Sequence, residues 1–264
     1  GVELVAKARY GTHPAQKLRI YRPDGYDDSQ PLPVLLFVHG GSWSWGDPDD
    51  YNFIARAFAP AGFVVVLAGY RLGKAGRYPG MLEDTAADIG WVYRNIARYG
   101  GDPERLVISG HSAGAYNAVQ AVLDPQWLAA AGVPRDAIRG VIGLSGPYDF
   151  YPFDTDSTRA AFGSAGAGPD SQPVNTVTPG APPMLLIHGT DDTTVKLRNS
   201  KALAAALREA GNSVETLYLP GQNHADPLLR LARPWRRDAR VFDAMMQFMD
   251  RAVTTSVPVQ PRTP

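Results

Sequence analysis

The 264-residue sequence contains no cysteine. That excludes disulfides, thiolate nucleophiles and cysteine-ligated zinc or iron–sulfur centres together. It leaves the compartment open, because disulfide-free proteins occur on both sides of a membrane. An excess charge of either sign is also missing, since 26 Lys and Arg balance 26 Asp and Glu. Such a chain offers no basic face to a phosphate backbone, so nucleic acid is not an expected partner. No run reaches the roughly 18 continuous apolar residues of a membrane-spanning helix. The opening GVELVAKARYG lacks the apolar core of a signal peptide. The chain starts at Gly1 rather than Met. A cytoplasmic protein and an exported one with its signal removed are therefore both compatible with it. Internal repeats and low-complexity blocks are absent as well. What is there is 44% apolar against 20% charged residues, the balance of a globular chain with material for a core.

Short apolar runs recur at 34–38 (VLLFV), 63–67 (FVVVL), 106–109 (LVIS), 140–144 (GVIGL), 184–187 (MLLI) and 214–219 (VETLYL). Continuous apolar character suits strands covered on both faces. Helical patterns separate the runs at 50–61, 81–99, 113–123, 195–210 and 238–252. The last of these carries Val241, Met245, Phe248 and Met249 on one side. The alternation predicts the α/β class, with a mostly parallel central sheet and helices on both faces. Residues 148–183, rich in Gly, Pro, Ser and Asp, break the rhythm and read as a short lid-like insertion or site wall. Residues 254–264 read as a flexible C-terminal tail, leaving 1–253 as a single domain.

The sharpest local signal is Gly110-His111-Ser112-Ala113-Gly114, after a strand and before a small-residue helix. A tight strand-to-helix turn pushes the serine hydroxyl out of the sheet edge. Flanking glycines leave room for the backbone, and the helix N-terminus faces the developing negative charge. Ser112 is the expected nucleophile. His39-Gly40-Gly41-Ser42-Trp43 follows the strand VLLFV directly. Acyl transfer collects charge on a carbonyl oxygen, and each pre-aimed donor there is worth about 3–4 kcal/mol. The N–H groups of Gly40, Gly41 and Ala113 are the expected oxyanion hole, with His39 holding the loop.

A serine hydroxyl needs a base, usually histidine. His13 lies in the N-terminal segment, His39 and His111 belong to the glycine motifs, and His188 ends a strand. His224, just past the last strand, is the candidate that follows both the serine and a plausible acid in the chain order Ser…Asp…His. The acid should come from the loop Gly189-Thr190-Asp191-Asp192-Thr193-Thr194-Val195. Spacing selects Asp192, with Asp191 as the fallback.

With these residues in place the chain resembles the α/β-hydrolase superfamily, from about residue 34 to 248. It is most similar to serine carboxylesterases of the hormone-sensitive-lipase-like and feruloyl-esterase-like groups, close to arylformamidases carrying HGGxW. Tyr70-Arg71-Leu72, Tyr78-Pro79, Asp84, Tyr99-Gly100-Gly101-Asp102-Pro103 and Leu144-Ser145-Gly146-Pro147-Tyr148-Asp149 extend the resemblance. It implies the α/β-hydrolase fold and structural roles for Asp84 and Asp102. The chain departs from the hormone-sensitive-lipase-like pattern at Ser42, where a third Gly is typical, and at His111, where an acidic residue is. With 38 residues before His39, a large N-terminal cap is not expected, and the site should be more open.

The expected activity is hydrolysis of short-chain or aryl carboxylic esters through an acyl-enzyme, needing no cofactor and no metal. Trp43, Trp45, Tyr148 and Phe150 are the candidate substrate-binding aromatics. Arylformamidase or amidase activity, acyl-sugar or feruloyl esterase activity, and a non-catalytic ligand-binding role are the alternatives. Dehalogenase and epoxide hydrolase chemistry fails at Ser112, because both need a carboxylate nucleophile. The expected partner is a small-molecule ester, and the state a monomer or homodimer. Arg230, Arg233, Arg236, Arg237 and Arg240 read as a solvated basic face.

Overall fold

Five apolar residues in a row cannot show one face to water, and the runs VLLFV and VVVLA accordingly sit in the middle of a sheet. A computed structural model describes residues 1–163, 167–234 and 238–254. Its strands are β1 (Val2–Arg9), β2 (Lys17–Pro23), β3 (Leu32–Val38), β4 (Val64–Ala68), β5 (Gly101–His111), β6 (Ile138–Leu144), β7 (Met184–Gly189) and β8 (Val214–Leu219). They form one sheet in the order β1-β2-β4-β3-β5-β6-β7-β8. From β4 to β8 all pairings are parallel, whereas β1–β2 and β2–β4 are antiparallel. The fold is the α/β-hydrolase fold.

Side-chain alternation divides the core into two layers. Val34, Leu36 and Val38 of β3 join Val64, Val66 and Ala68 of β4 on one face. That face is covered by α2 (Gly80–Asn95), α3 (Ala113–Leu123) and α6 (Arg198–Glu209). Leu35, Phe37, Val65 and Leu67 point the other way, toward α1 (Asn52–Phe58) and α8 (Arg240–Thr254). Val241, Met245, Phe248 and Met249, the apolar side read from the sequence, are the buried side of α8. Each such side chain removed from water contributes about 1.5–3 kcal/mol.

Three features differ from the sequence reading. The hairpin β1–β2 was not anticipated. Its residues alternate with Lys and Arg, and among them Leu18 and Ile20 are fully buried, opposite Ala68 and Val66 of β4. The insertion 148–183 is not structureless among its described residues. It holds α5 (Asp156–Phe162), started by a capping box between Thr155 and Thr158, and 3-10 turns at Pro169–Ser171 and Pro173–Asn175. Residues 164–166 of the insertion lie outside the described residues. So do 255–264, most of the expected tail, while Thr254 belongs to α8. Short helices at Pro125–Ala131 and Asp226–Leu229 complete the chain order.

Candidate active site

The parallel strands end along one edge, and the loops leaving β3, β5, β7 and β8 gather there. Ser112 stands at the turn between β5 and α3 with φ 54° and ψ −122°, a strained region for a residue with a Cβ. The neighbouring glycines make the turn possible. A Cβ on Gly110 would strike the backbone of Gly114, and one on Gly114 would strike the carbonyls of Val38 and His39. The glycine loop after β3 also passes close by, since a Cβ on Gly40 would stand 2.9 Å from the carbonyl of His111 and 3.3 Å from Ser112 Cβ. Among the described residues the N–H groups of Gly41 and Ala113 have no main-chain acceptor, while that of Gly40 lies beside the Tyr51 hydroxyl.

His224 Nε2 lies 2.8 Å from Ser112 Oγ, and His224 Nδ1 lies 2.7 Å from Asp192 Oδ2. A carboxylate can only accept, so Nδ1 carries the hydrogen and Nε2 accepts from the serine hydroxyl. Asp192 has no exposed side-chain surface. Its Oδ1 accepts from the N–H groups of Thr194 and Val195 at 2.9 and 2.8 Å. Burial pushes its carboxyl up, but the bonds from His188, His224 and Val195 outweigh burial and hold it well below the usual carboxylate range. Asp191 is exposed, and its Oδ1 accepts from Thr190.

The other sequence-singled residues are distributed as follows. His39 is buried, its ring stacked on Tyr70 with centroids 4.6 Å apart, and burial lowers its pKa. Trp43 is buried too. Its Nε1–H donates to Asn117 Oδ1 on α3 at 3.0 Å, and its ring meets Tyr116 and Phe162 edge-on. Phe150 stacks on Trp43, while Trp45 is 65% exposed at the end of the same loop. Tyr148 requires correction. It has no exposed surface and packs on Gly143 and Gly146, so it is a core residue and not a pocket wall. Asp84 is buried and accepts from Arg71 and Gln16, a structural arrangement. Arg230 and Arg240 flank Asp238 as ion pairs, and Arg236 and Arg237 lie outside the described residues.

Two residues at the site escaped the sequence reading. His188, fully buried, points Nε2 at both Val195 O (2.8 Å) and Asp192 Oδ2 (3.2 Å), so that nitrogen carries the hydrogen; its Nδ1 accepts from Ser200 Oγ at 2.7 Å. His111 donates from Nε2 to the carbonyl of His224 at 3.0 Å. Burial, then the neighbouring His224, lowers its pKa to about 4, so it is neutral near pH 7. The one available signal was position. Each histidine sits in a motif next to a singled-out acid or nucleophile, but sequence alone does not show which way the ring turns.

Among the described residues no cluster of His, Asp or Glu is arranged to hold a metal ion, and no helix is long and apolar enough to cross a membrane. The BD-FAE family model matches residues 18–207. Esterase LipC of Mycobacterium tuberculosis is 32% identical over 85% of this chain and 60% of its own length. A probable isoprenylcysteine alpha-carbonyl methylesterase of Oryza sativa subsp. japonica is 29% identical over 92% of this chain and 63% of its own. The chain thus spans about three fifths of these two relatives. The solved esterase 2 of Thermogutta terrifontis superposes with a TM-score of 0.78 at 22% identity, covering 96% of both chains. A serine turn, a glycine loop and a buried Asp–His pair meeting at one sheet edge, together with a family match over most of the chain, place this protein in the BD-FAE family of the α/β-hydrolase fold.

Proposed function

We propose that the protein is a serine hydrolase of carboxylic esters, with Ser112, His224 and Asp192 as its catalytic triad. The observation that carries this reading is the unbroken hydrogen-bonded series from Ser112 Oγ through His224 to Asp192, with the N–H groups of Gly41 and Ala113 making no main-chain bond among the described residues. The relatives reported above have names that specify esterases, which supports the same reaction type.

In this mechanism Ser112 Oγ attacks the ester carbonyl carbon and its proton passes to His224 Nε2. Asp192 fixes the imidazole and stabilises its protonated form. The N–H groups of Gly40, Gly41 and Ala113 receive the oxyanion, aided by the N-terminus of α3. Collapse of the tetrahedral intermediate breaks the C–O bond, and the leaving alkoxide takes the proton from His224. Water then attacks the acyl-enzyme, gives its proton to His224, and Ser112 Oγ recovers it as the acid departs. Short-chain and aryl esters are the proposed substrates, because Trp45 and the cleft beside Trp43 offer aromatic surface at the edge of the site.

Hydrolysis of p-nitrophenyl acetate tests this. Ser112→Ala should lower kcat by at least about 1,000-fold, and a fluorophosphonate should label the parent at Ser112. Retention of activity in Ser112→Ala rejects the reading. Asp192→Asn should be far more damaging than Asp191→Asn; the reverse order moves the acid by one position.

A further inference from the structure

We propose that the cleft beside the oxyanion loop binds a negatively charged group, so that this site prefers esters whose acid or alcohol part carries a second, ionised acid function. The inference rests on the serine-esterase reading above and adds a substrate class to it.

The cleft, of about 260 Å³, is bounded by Ser42, Trp43 and Ser44 on one wall, by Lys74 and Arg77 on a second, and by Ser157 and its neighbours in α5 on the third. These walls leave the carboxyl ends of β3, β4 and β6, the edge from which Ser112 leaves β5. Ser42 follows Gly41 directly, so the cleft begins where the proposed oxyanion hole ends. Its walls are tied together. Gly73 N–H donates to the carbonyl of Trp43 at 2.8 Å, and Tyr78 N–H donates to that of Ala161 at 2.9 Å.

Its charge is one-sided. Lys74 and Arg77 are the charged side chains of the lining, no carboxylate accompanies them, and among the described residues neither has an ion-pair partner. Their surroundings are different. Arg71 is held by Glu83 and Asp84, and Asp156, next to Ser157, is taken by Arg159. Two uncompensated cations lining one cleft give it a positive potential, which an anion bound there would lower. The hydroxyls of Ser42 and Ser157 can donate to the same anion, whereas that of Ser44 is turned to the carbonyl of Gly41 at 3.3 Å, and Trp43 supplies an apolar floor for the carbon chain that carries it. With the anion held in the cleft, the ester carbonyl has to reach past Ser42 to Ser112, so the length of chain between the two groups decides which esters fit.

Two matched pairs of esters test the idea. One pair is 4-acetoxybenzoate and its methyl ester, which differ in charge on the alcohol side. The other is mono-4-nitrophenyl succinate and its methyl ester, which differ on the acid side. At low ionic strength the anionic member of one pair should have the higher kcat/KM, chiefly through a lower KM, and added salt should shrink the advantage. In the double variant Lys74→Gln/Arg77→Gln the anionic-to-neutral ratio should fall about five- to tenfold. Absence of anionic preference in both pairs, or a ratio unchanged in the double variant, overturns the inference while hydrolysis of the neutral esters leaves the esterase reading standing. Failure to hydrolyse any of the four, with Ser112 unlabelled by fluorophosphonate, overturns that reading and the inference with it.

Discussion

Asp192 accepts four hydrogen bonds, and one of them comes from a side chain that the proposed reaction never touches. His188 donates to the same oxygen as His224, so the two compete for its charge. Removing His188 leaves more of that charge for His224 and favours the protonated imidazole. The acid limb of kcat/KM in His188→Leu should therefore move to higher pH. His188→Gln retains an N–H and should bring the limb back toward the parent. A pH profile with p-nitrophenyl acetate between pH 5 and 9 reads both variants. A loss of stability alone, with the limb unmoved, would make His188 a packing residue.

At the scale of elements, the glycine loop after β3 is held by what its tryptophan reaches. Ser42 and Trp43 both have positive φ, 50° and 57°, a conformation that side chains resist. The loop keeps it because the indole is bonded to Asn117 and enclosed by Tyr116, Phe150 and Phe162. Trp43→Phe preserves most of the packing but leaves Asn117 Oδ1 buried without its donor, and Nδ2 of that residue already lacks a partner. Relaxation of the loop should lower kcat about tenfold with a small change in KM if its N–H groups act, as proposed, on the transition state. Equal kcat in parent and variant would show that packing alone sets the loop. This element also marks how far the sequence could be read. Continuous apolar runs located β3 to β7, because burial on both faces leaves a pattern that needs no partner to interpret, while β8, a half-buried edge strand, showed as the mixed run VETLYL. The hairpin β1–β2 escaped because an edge strand mixes Val and Leu with Lys and Arg, and its pairing to β4 is not written in its own residues. HGGSW and GHSAG identified the loop and the turn by the backbone freedom that they need. Whether Trp43 lines a pocket or clamps a loop, and whether Tyr148 faces substrate or core, depends on α3 and the insertion, far away in sequence. The ring orientations of His111 and His188 were hidden for the same reason.

For the molecule as a whole, the loop after β8 must be carried to the turn after β5, and His111 forms one of the ties. Its bond to the carbonyl of His224 joins residues 113 apart in sequence. The tie is made by a buried imidazole, and it is the burial, not the bond, that couples folding to pH. The pKa of His111 is depressed by burial from 6.5 to about 4, so between these values the unfolded chain binds the extra proton and the folded chain does not. Stability contributed at neutral pH is therefore lost as the pH falls through that window, by about 3 kcal/mol at pH 4. Asp88 works in the opposite sense. It is buried with both oxygens unpartnered and its pKa is raised by burial, so its contribution fades as the pH rises. Asp192 and Asp238 are depressed carboxylates and contribute their loss below the ordinary carboxylate pKa near 3.8, under the histidine window. The total pH slope mixes these groups, but a comparison of the parent with His111→Gln cancels the carboxylates. Urea unfolding at pH 7 and at pH 4 should show the parent losing about 3 kcal/mol more than His111→Gln between the two conditions. Parallel losses in both proteins would mean that His111 takes up its proton in the folded state near its ordinary pKa, and that the turn and the loop are held together without it.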